Sequence, residues 1–191
     1  MENLDSASDK EAILRRRILA GSVALDDYIE LADILYREGR SEATLEILRE
    51  ASSLKLPPPE RGLLLNEQAQ FSFLITGAKD EALVLAEEAI SILRQNPPTP
   101  DAVLAEIFAE SLVSKILWDT NQPQAVQSAS HALSKIQSAM HGNSQFDPQT
   151  LCAMCIAASQ LHELTGQLED AVSGRAERWF IRLMNISVSL P

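Results

Sequence analysis

The stretch "TGAKDEALVLAEEAISIL", Thr76 to Leu93, sets a glycine ahead of a helix-forming run and then places alanine at positions 82, 86 and 89. Side chains three and four residues apart share one face of a helix, so these alanines form a stripe of minimal side chains. A helix with such a stripe packs on a neighbour at short interaxial distance. The arrangement returns along the chain. "YREGRSEATLEIL", "LITGAKDEALVLA", "LWDTNQPQAVQSA" and "LHELTGQLEDAVS" each join an apolar helix end to a short polar turn and then to an alanine, at Ala43, Ala82, Ala125 and Ala171. Those alanines stand roughly 39 to 46 residues apart, the period of a helical hairpin with its connections.

Start and stop signals divide the rest in the same way. "SDKE", Ser8 to Glu11, reads as a capping box with Ser8 as N-cap, and Gly21 closes the helix that follows. A second helix is expected from about Leu25 to Glu38, stopped by Gly39. A third, capped by Ser41, runs to about Leu54 and ends at Pro57 to Pro59. A fourth runs from about Glu60 to Thr76 before Gly77, and a fifth from Asp80 to about Gln95 before "PPTP". Thr99 with Pro100 opens a sixth, to about Asp119. Asn121 with Pro123 opens a seventh, to about His141. Asp147 with Pro148 opens an eighth, stopped by Gly166, and a ninth starts near Leu168. No alternating run of β-branched residues between hairpin turns is present, so an all-α fold is expected.

This layout resembles the tetratricopeptide repeat family, and the resemblance covers roughly residues 24 to 175. "YIELADILYREG" carries Tyr28, Leu31, Ala32, Leu35 and Gly39 at the family's aromatic, leucine, small, bulky and turn-glycine places. Asn66, Ala69, Gln70, Phe73 and Gly77 fall there in the second repeat. The first turn is one residue short, and the third replaces the glycine by Thr120-Asn121. The resemblance implies a right-handed superhelical solenoid of about four antiparallel hairpins over 24–175, behind a capping helix at 1–23 and followed by an apolar tail at 176–191. It also implies a concave groove lined by the first helix of each hairpin. That groove would receive Asp26, Ile29, Asp33 and Tyr36, then Glu67, Phe71 and Leu74, then Glu110, Ser114 and Trp118, then Ile156 and Gln160. This surface is acidic and apolar. The family's carboxylate clamp for chaperone tails needs Lys, Asn and Arg where this chain has Ile29, Asp33, Gln68, Ile107 and Ser111, so chaperone tails of that kind are not expected as clients.

Composition narrows the function. The 191 residues suffice for one domain with a real core. The formal net charge is -11, with Asp and Glu concentrated in the first two thirds, which disfavours nucleic acid as a partner. No apolar run reaches membrane-span length, and the N-terminal stretch fits neither a signal nor a transit peptide. The expected location is therefore cytosol or nucleus, with no membrane partner. "CAMC" places Cys152 and Cys155 in a CxxC, but with no preceding strand and no second pair the two thiols read as small core residues. His131, His141 and His162 are scattered, and no glycine-rich phosphate loop is found. Paired acids at Asp26-Asp27, Glu87-Glu88 and Glu169-Asp170 read as exposed groups favouring helix dipoles. Neither metal, cofactor nor catalytic residue is expected.

The expected function is a non-catalytic scaffold or adaptor that holds a basic or basic-apolar peptide or helix of another protein. The alternatives are a sensor binding a small molecule in the groove and a structural subunit buried in an assembly. In the tail, Trp179, Phe180, Leu183 and Ile186 form an apolar stripe. It is expected to fold back on the fourth hairpin, with a two-fold homodimer through the tail as the other solution.

Overall fold

Proline and glycine punctuate a chain of good helix formers, and the computed structural model, which describes residues 7–141, 146 and 148–164, shows eight helices. They are α1 (Ala7–Leu19), α2 (Leu25–Arg37), α3 (Ser41–Ala51), α4 (Pro58–Thr76), α5 (Lys79–Arg94), α6 (Pro100–Leu117), α7 (Gln122–His141) and α8 (Pro148–Leu164). The described residues contain no strand, and the fold is all-α. The chain divides into two compact units, Met1–Pro97 and Pro98–Pro191. The division falls in the "PPTP" stretch, inside the span 24–175. The ninth helix, Ala171 and the tail with Trp179, Phe180, Leu183 and Ile186 lie outside the described residues.

In the first unit α1 packs on α2, α2 on α3, α3 on α4 and α4 on α5, and α2 also meets α4. The core gathers Leu14 from α1, Leu25, Tyr28, Leu31, Ala32 and Leu35 from α2, Leu48 and Ala51 from α3, and Leu64 and Phe71 from α4. The α4–α5 turn is short because Gly77 takes the left-handed conformation (φ 67°, ψ 15°) and donates its N–H to Phe73 O at 3.1 Å. Ala82, Ala86 and Ala89 are fully buried, so the small-residue stripe of α5 lies against a neighbour as expected. From the facing helix Gly62 contributes no side chain. A Cβ there would stand 2.8 Å from Leu93 Cγ and Cδ2, closer than carbon atoms tolerate. Arg61 Nη2 then reaches Glu88 Oε1 at 3.0 Å across the same pair of helices.

Two cap expectations are corrected. Ser8 lies inside α1, and Glu11 does not reach back to it. Its carboxylate accepts from Arg15 Nε at 2.6 Å and from Arg40 Nη1 at 2.8 Å, which ties α1 to the start of α3. Arg15, with Arg40, holds the Glu11 carboxyl below the usual carboxylate range. Arg40, not Ser41, occupies the N-cap of α3 and makes no side-chain cap bond. The Arg40 N–H closes the α2–α3 turn onto Leu35 O at 2.9 Å, so the chain enters the helix at residue 41. Thr99 caps α6 as expected, its side chain accepting from Ala102 N at 3.2 Å.

In the second unit α6, α7 and α8 pack pairwise. Ile107, Ile136, Met154 and Ala157 form one core cluster, and Ala129, Ala132 and Leu161 form another. The α7 residues Ala125, Ala129 and Ala132 are fully buried at the same three- and four-residue spacing as the α5 alanines. Lys135 of α7 pairs with the buried Glu106 of α6 at 2.8 Å.

Replacing Ala86 by leucine forces extra volume between α4 and α5. Urea unfolding should show a loss of about 1–3 kcal/mol, whereas leucine at the exposed Val84, on the opposite side of the same helix, should be near neutral.

Candidate partner-binding face

Helix α2 buries Leu25, Tyr28, Leu31, Ala32 and Leu35 in the core. Asp26, Ile29, Asp33 and Tyr36 recur at three- and four-residue steps and so lie on an adjacent face. Asp26 is exposed, and Ile29, Asp33 and Tyr36 are half-buried. On α4, Glu67, Phe71 and Leu74 share a face by the same spacing. The structure brings the two sets together. Tyr36 and Phe71 meet edge to face, with ring centroids 5.2 Å apart and planes at 68°. Asp33 acts electrostatically on Glu67. Phe71 is only 7% exposed and belongs to the core, so the apolar side chains within reach of a partner are Tyr36, Ile29 and the exposed Leu74.

The electrostatics of this face rest on three groups. The Asp33 carboxylate is held by Arg37 Nη2 at 2.6 Å, one turn along α2. Burial pushes the Glu67 carboxyl up to about 7, and the Asp33 charge adds to that shift. A hydrogen bond from Asn66 Nδ2 to Glu67 Oε1 at 3.3 Å opposes it. Asn66 is itself buried, and its Oδ1 has no hydrogen-bond partner among the described residues. Sequence reasoning missed Arg37 and Asn66. The signal for Asn66 was an amide directly after the apolar run Leu63 to Leu65.

Polar contacts fix the two helices that carry the face. Gln68 Nε2 donates to Leu48 O at 2.9 Å and to Ser52 Oγ at 2.7 Å, which anchors α4 to the end of α3. Asp27, expected with Asp26 to be an exposed helix-start acid, is instead buried. Asp27 is 3% exposed, on the same side of α2 as Leu31. Its Oδ2 accepts from Ser22 Oγ at 2.6 Å and its Oδ1 pairs with Arg17 Nη2 at 3.0 Å. A buried carboxylate is tolerated where its lone pairs are met in this way.

The other groove candidates lie in the second unit. Glu110 is 2% exposed and stands 3.6 Å from His131 Nδ1 of α7. Ser114 is fully buried, and Trp118 is half-buried at the C-cap of α6. Ile156 is 55% exposed on α8, and Gln160 Oε1 accepts from Lys115 Nζ at 2.8 Å. As placed, Glu110 and Ser114 are enclosed, and an open acidic-apolar face is formed by α2 and α4. The thiols also depart from expectation. Cys152 is exposed and Cys155 half-buried, because Met154, Ala157 and Leu161 take the core side of α8. Among the described residues no group of three or more His, Cys, Asp or Glu is placed to hold a metal ion. No described helix is long and apolar enough to cross a membrane.

No protein-family model matches this chain, and no curated protein matches it. Among solved structures, the crystal structure of BtubC (BKLC) from P. vanneervenii is similar at 18% identity, over 98% of this chain and 92% of that one, with a TM-score of 0.41. A likeness of that size decides neither fold nor function.

Glu67 makes the first unit sensitive to pH. Its carboxyl titrates near 7 in the folded state, against 4.5 ordinarily. Between those values the folded protein holds a proton that the unfolded chain releases, so stability falls as pH rises from 4.5 through 7. Urea titrations at pH 5 and pH 8 should show the chain less stable at pH 8. Glu67→Gln should remove most of that difference by raising stability at pH 8.

Proposed function

We propose that this chain is a non-catalytic scaffold or adaptor, built on tetratricopeptide-like helical repeats in a solenoid. Its α2–α4 face holds a basic or basic-apolar peptide or helix of a partner protein. The observation that carries this reading is the juxtaposition of Asp33 and Tyr36 on α2 with Glu67 and Phe71 on α4. Two successive hairpins are brought into contact through the helices that the repeat frame assigns to the groove. The buried alanines of α5 and α7 support the frame itself, since they occupy the small-residue places of each second helix.

The chemistry of the face favours a cationic ligand. Asp33 and Glu67 stand on neighbouring helices with one exposed arginine, Arg37, as counter-charge to Asp33. Tyr36, Ile29 and Leu74 offer apolar surface beside them. Exposed charge pairs contribute about 0.2–1 kcal/mol each. Affinity therefore rests on apolar contact, while the acids set the association rate and the choice of partner.

Selection of peptides from a displayed random library against the full chain tests this reading. Enriched sequences should combine Lys or Arg with Leu, Ile or Phe. The double variant Asp33→Lys, Glu67→Lys should slow their association by about tenfold at low salt and flatten its salt dependence. Enrichment of acidic sequences, or binding unchanged in the double variant, would place the partner elsewhere.

A further inference from the structure

Between Ala12 and Leu25 the chain carries three arginines, Arg15 to Arg17, and no acidic residue, although its net charge is -11. Leu14 and Ile18 turn one side of α1 into the core. Ion pairs from Lys10 to Glu30 and from Arg17 to Asp27 seat α1 on the side of α2 turned away from Tyr36. The outward side of α1 presents Ile13, Arg16 and Leu19 at three-residue steps, and Val23 stands exposed in the turn that follows. Arg15 is held by Glu11 and Arg17 by Asp27, but Arg16 makes no ion pair among the described residues. One exposed leucine on a protein surface means little. Here Leu19, 88% exposed, is joined by Ile13 and Val23 around an unpaired guanidinium. Together they make a basic-apolar helix edge, the complement in charge of the acidic-apolar face of α2 and α4.

We propose, on the reading of the α2–α4 face as a seat for a basic-apolar helix, that its occupant is α1 of a second copy of this chain, so that copies join head to tail. Arg16 of one copy approaches Asp33 and Glu67 of the next. Ile13 and Leu19 meet Ile29, Tyr36 and Leu74, as an amphipathic helix does when it lies in a groove. Within one chain α1 cannot make this contact, because its core side chains and its ion pairs hold it on the other side of α2. The two surfaces differ, so the contact is heterologous, and a copy whose α1 is engaged still offers its own face. Net charge favours the same pairing. Two copies at -11 repel wherever acidic surfaces meet, whereas Ala12 to Leu25 brings no acidic group to the contact. The charge pairs gained are exposed and individually weak, so association is weak and depends on concentration.

Sedimentation equilibrium of the full chain tests this. The average mass should rise with concentration up to about 1 mM. Two variants each remove one surface at accessible positions: Arg16→Glu with Leu19→Ser on α1, and Asp26→Lys with Asp33→Lys on α2. Either variant alone should self-associate about tenfold more weakly or less. Mixed, the two should recover a complex of two copies, since the first keeps its α2–α4 face and the second keeps its α1. Should a variant lose helix content, dilution of the isotopically labelled wild type decides instead: concentration-dependent amide shifts are expected at residues 13–23 and 67–74 together. A wild type that stays monomeric throughout, self-association unchanged in either variant, or a mixture without complex would overturn the proposal. A short helical peptide of leucine and arginine clusters tells two failures apart. If the wild type stays monomeric but binds that peptide at residues 67–74, self-association alone falls. If it does neither, the α2–α4 face is not a seat for basic-apolar helices.

Discussion

The close approach of α4 and α5 is the contact on which the first unit depends. Gly62 removes the side chain that would meet Leu93, and Ala82, Ala86 and Ala89 present little more than a methyl group each. Large side chains would hold the two helices apart and leave the ends of Ile90 and Leu93 without neighbours. With small ones, dispersion contacts fill the interface at the density of a protein interior. The stripe on α7, at Ala125, Ala129 and Ala132, meets the same constraint within the second unit.

Dense pairing of helices has an electrostatic consequence. Polar side chains near the interfaces lose water and must find partners within the protein. Asp27 finds Ser22 and Arg17, and Glu106 finds Lys135. Glu67 is matched less fully. It has one amide donor, a neighbouring carboxylate at Asp33, and a proton that it keeps to near neutral pH. A cationic side chain from outside would supply what the chain itself withholds. The proposed function uses that imbalance, with Tyr36 giving the adjacent apolar edge.

The helices were legible because their signals are local. Gly39 and Gly77 follow the last turns of α2 and α4, Thr99 caps α6, and the alanine spacing identifies the buried side of α5. Cap details at Ser8 and Ser41 were not, since Glu11 and Arg40 found each other across 29 residues of sequence. Long-range pairs of that kind leave no mark in a local pattern. The burial of Asp27 was hidden for the same reason: its neighbour Asp26 is exposed, and the partners Ser22 and Arg17, brought to Asp27 by the fold, distinguish the two. On the candidate face, helical spacing placed Asp33 with Tyr36 and Glu67 with Phe71. Burial of Phe71, Glu110 and Ser114 depends on which helix lies opposite, and that was not written in the spacing. The small and apolar composition of α8 predicts core thiols at Cys152 and Cys155, whereas the rotation of α8 turns Met154 inward and Cys152 outward.

The central claim is that the α2–α4 face of the first unit engages a cationic, partly apolar ligand. Amide chemical-shift mapping on the isotopically labelled full chain measures this directly, using a short helical peptide of alternating leucine and arginine clusters as the probe. The account predicts saturable shifts concentrated at residues 29–36 and 67–74, weakened as pH is lowered from 8 to 5 and Glu67 takes up its proton. Shifts confined to α3 and α5, or spread evenly over the acidic surface without saturation, would contradict it.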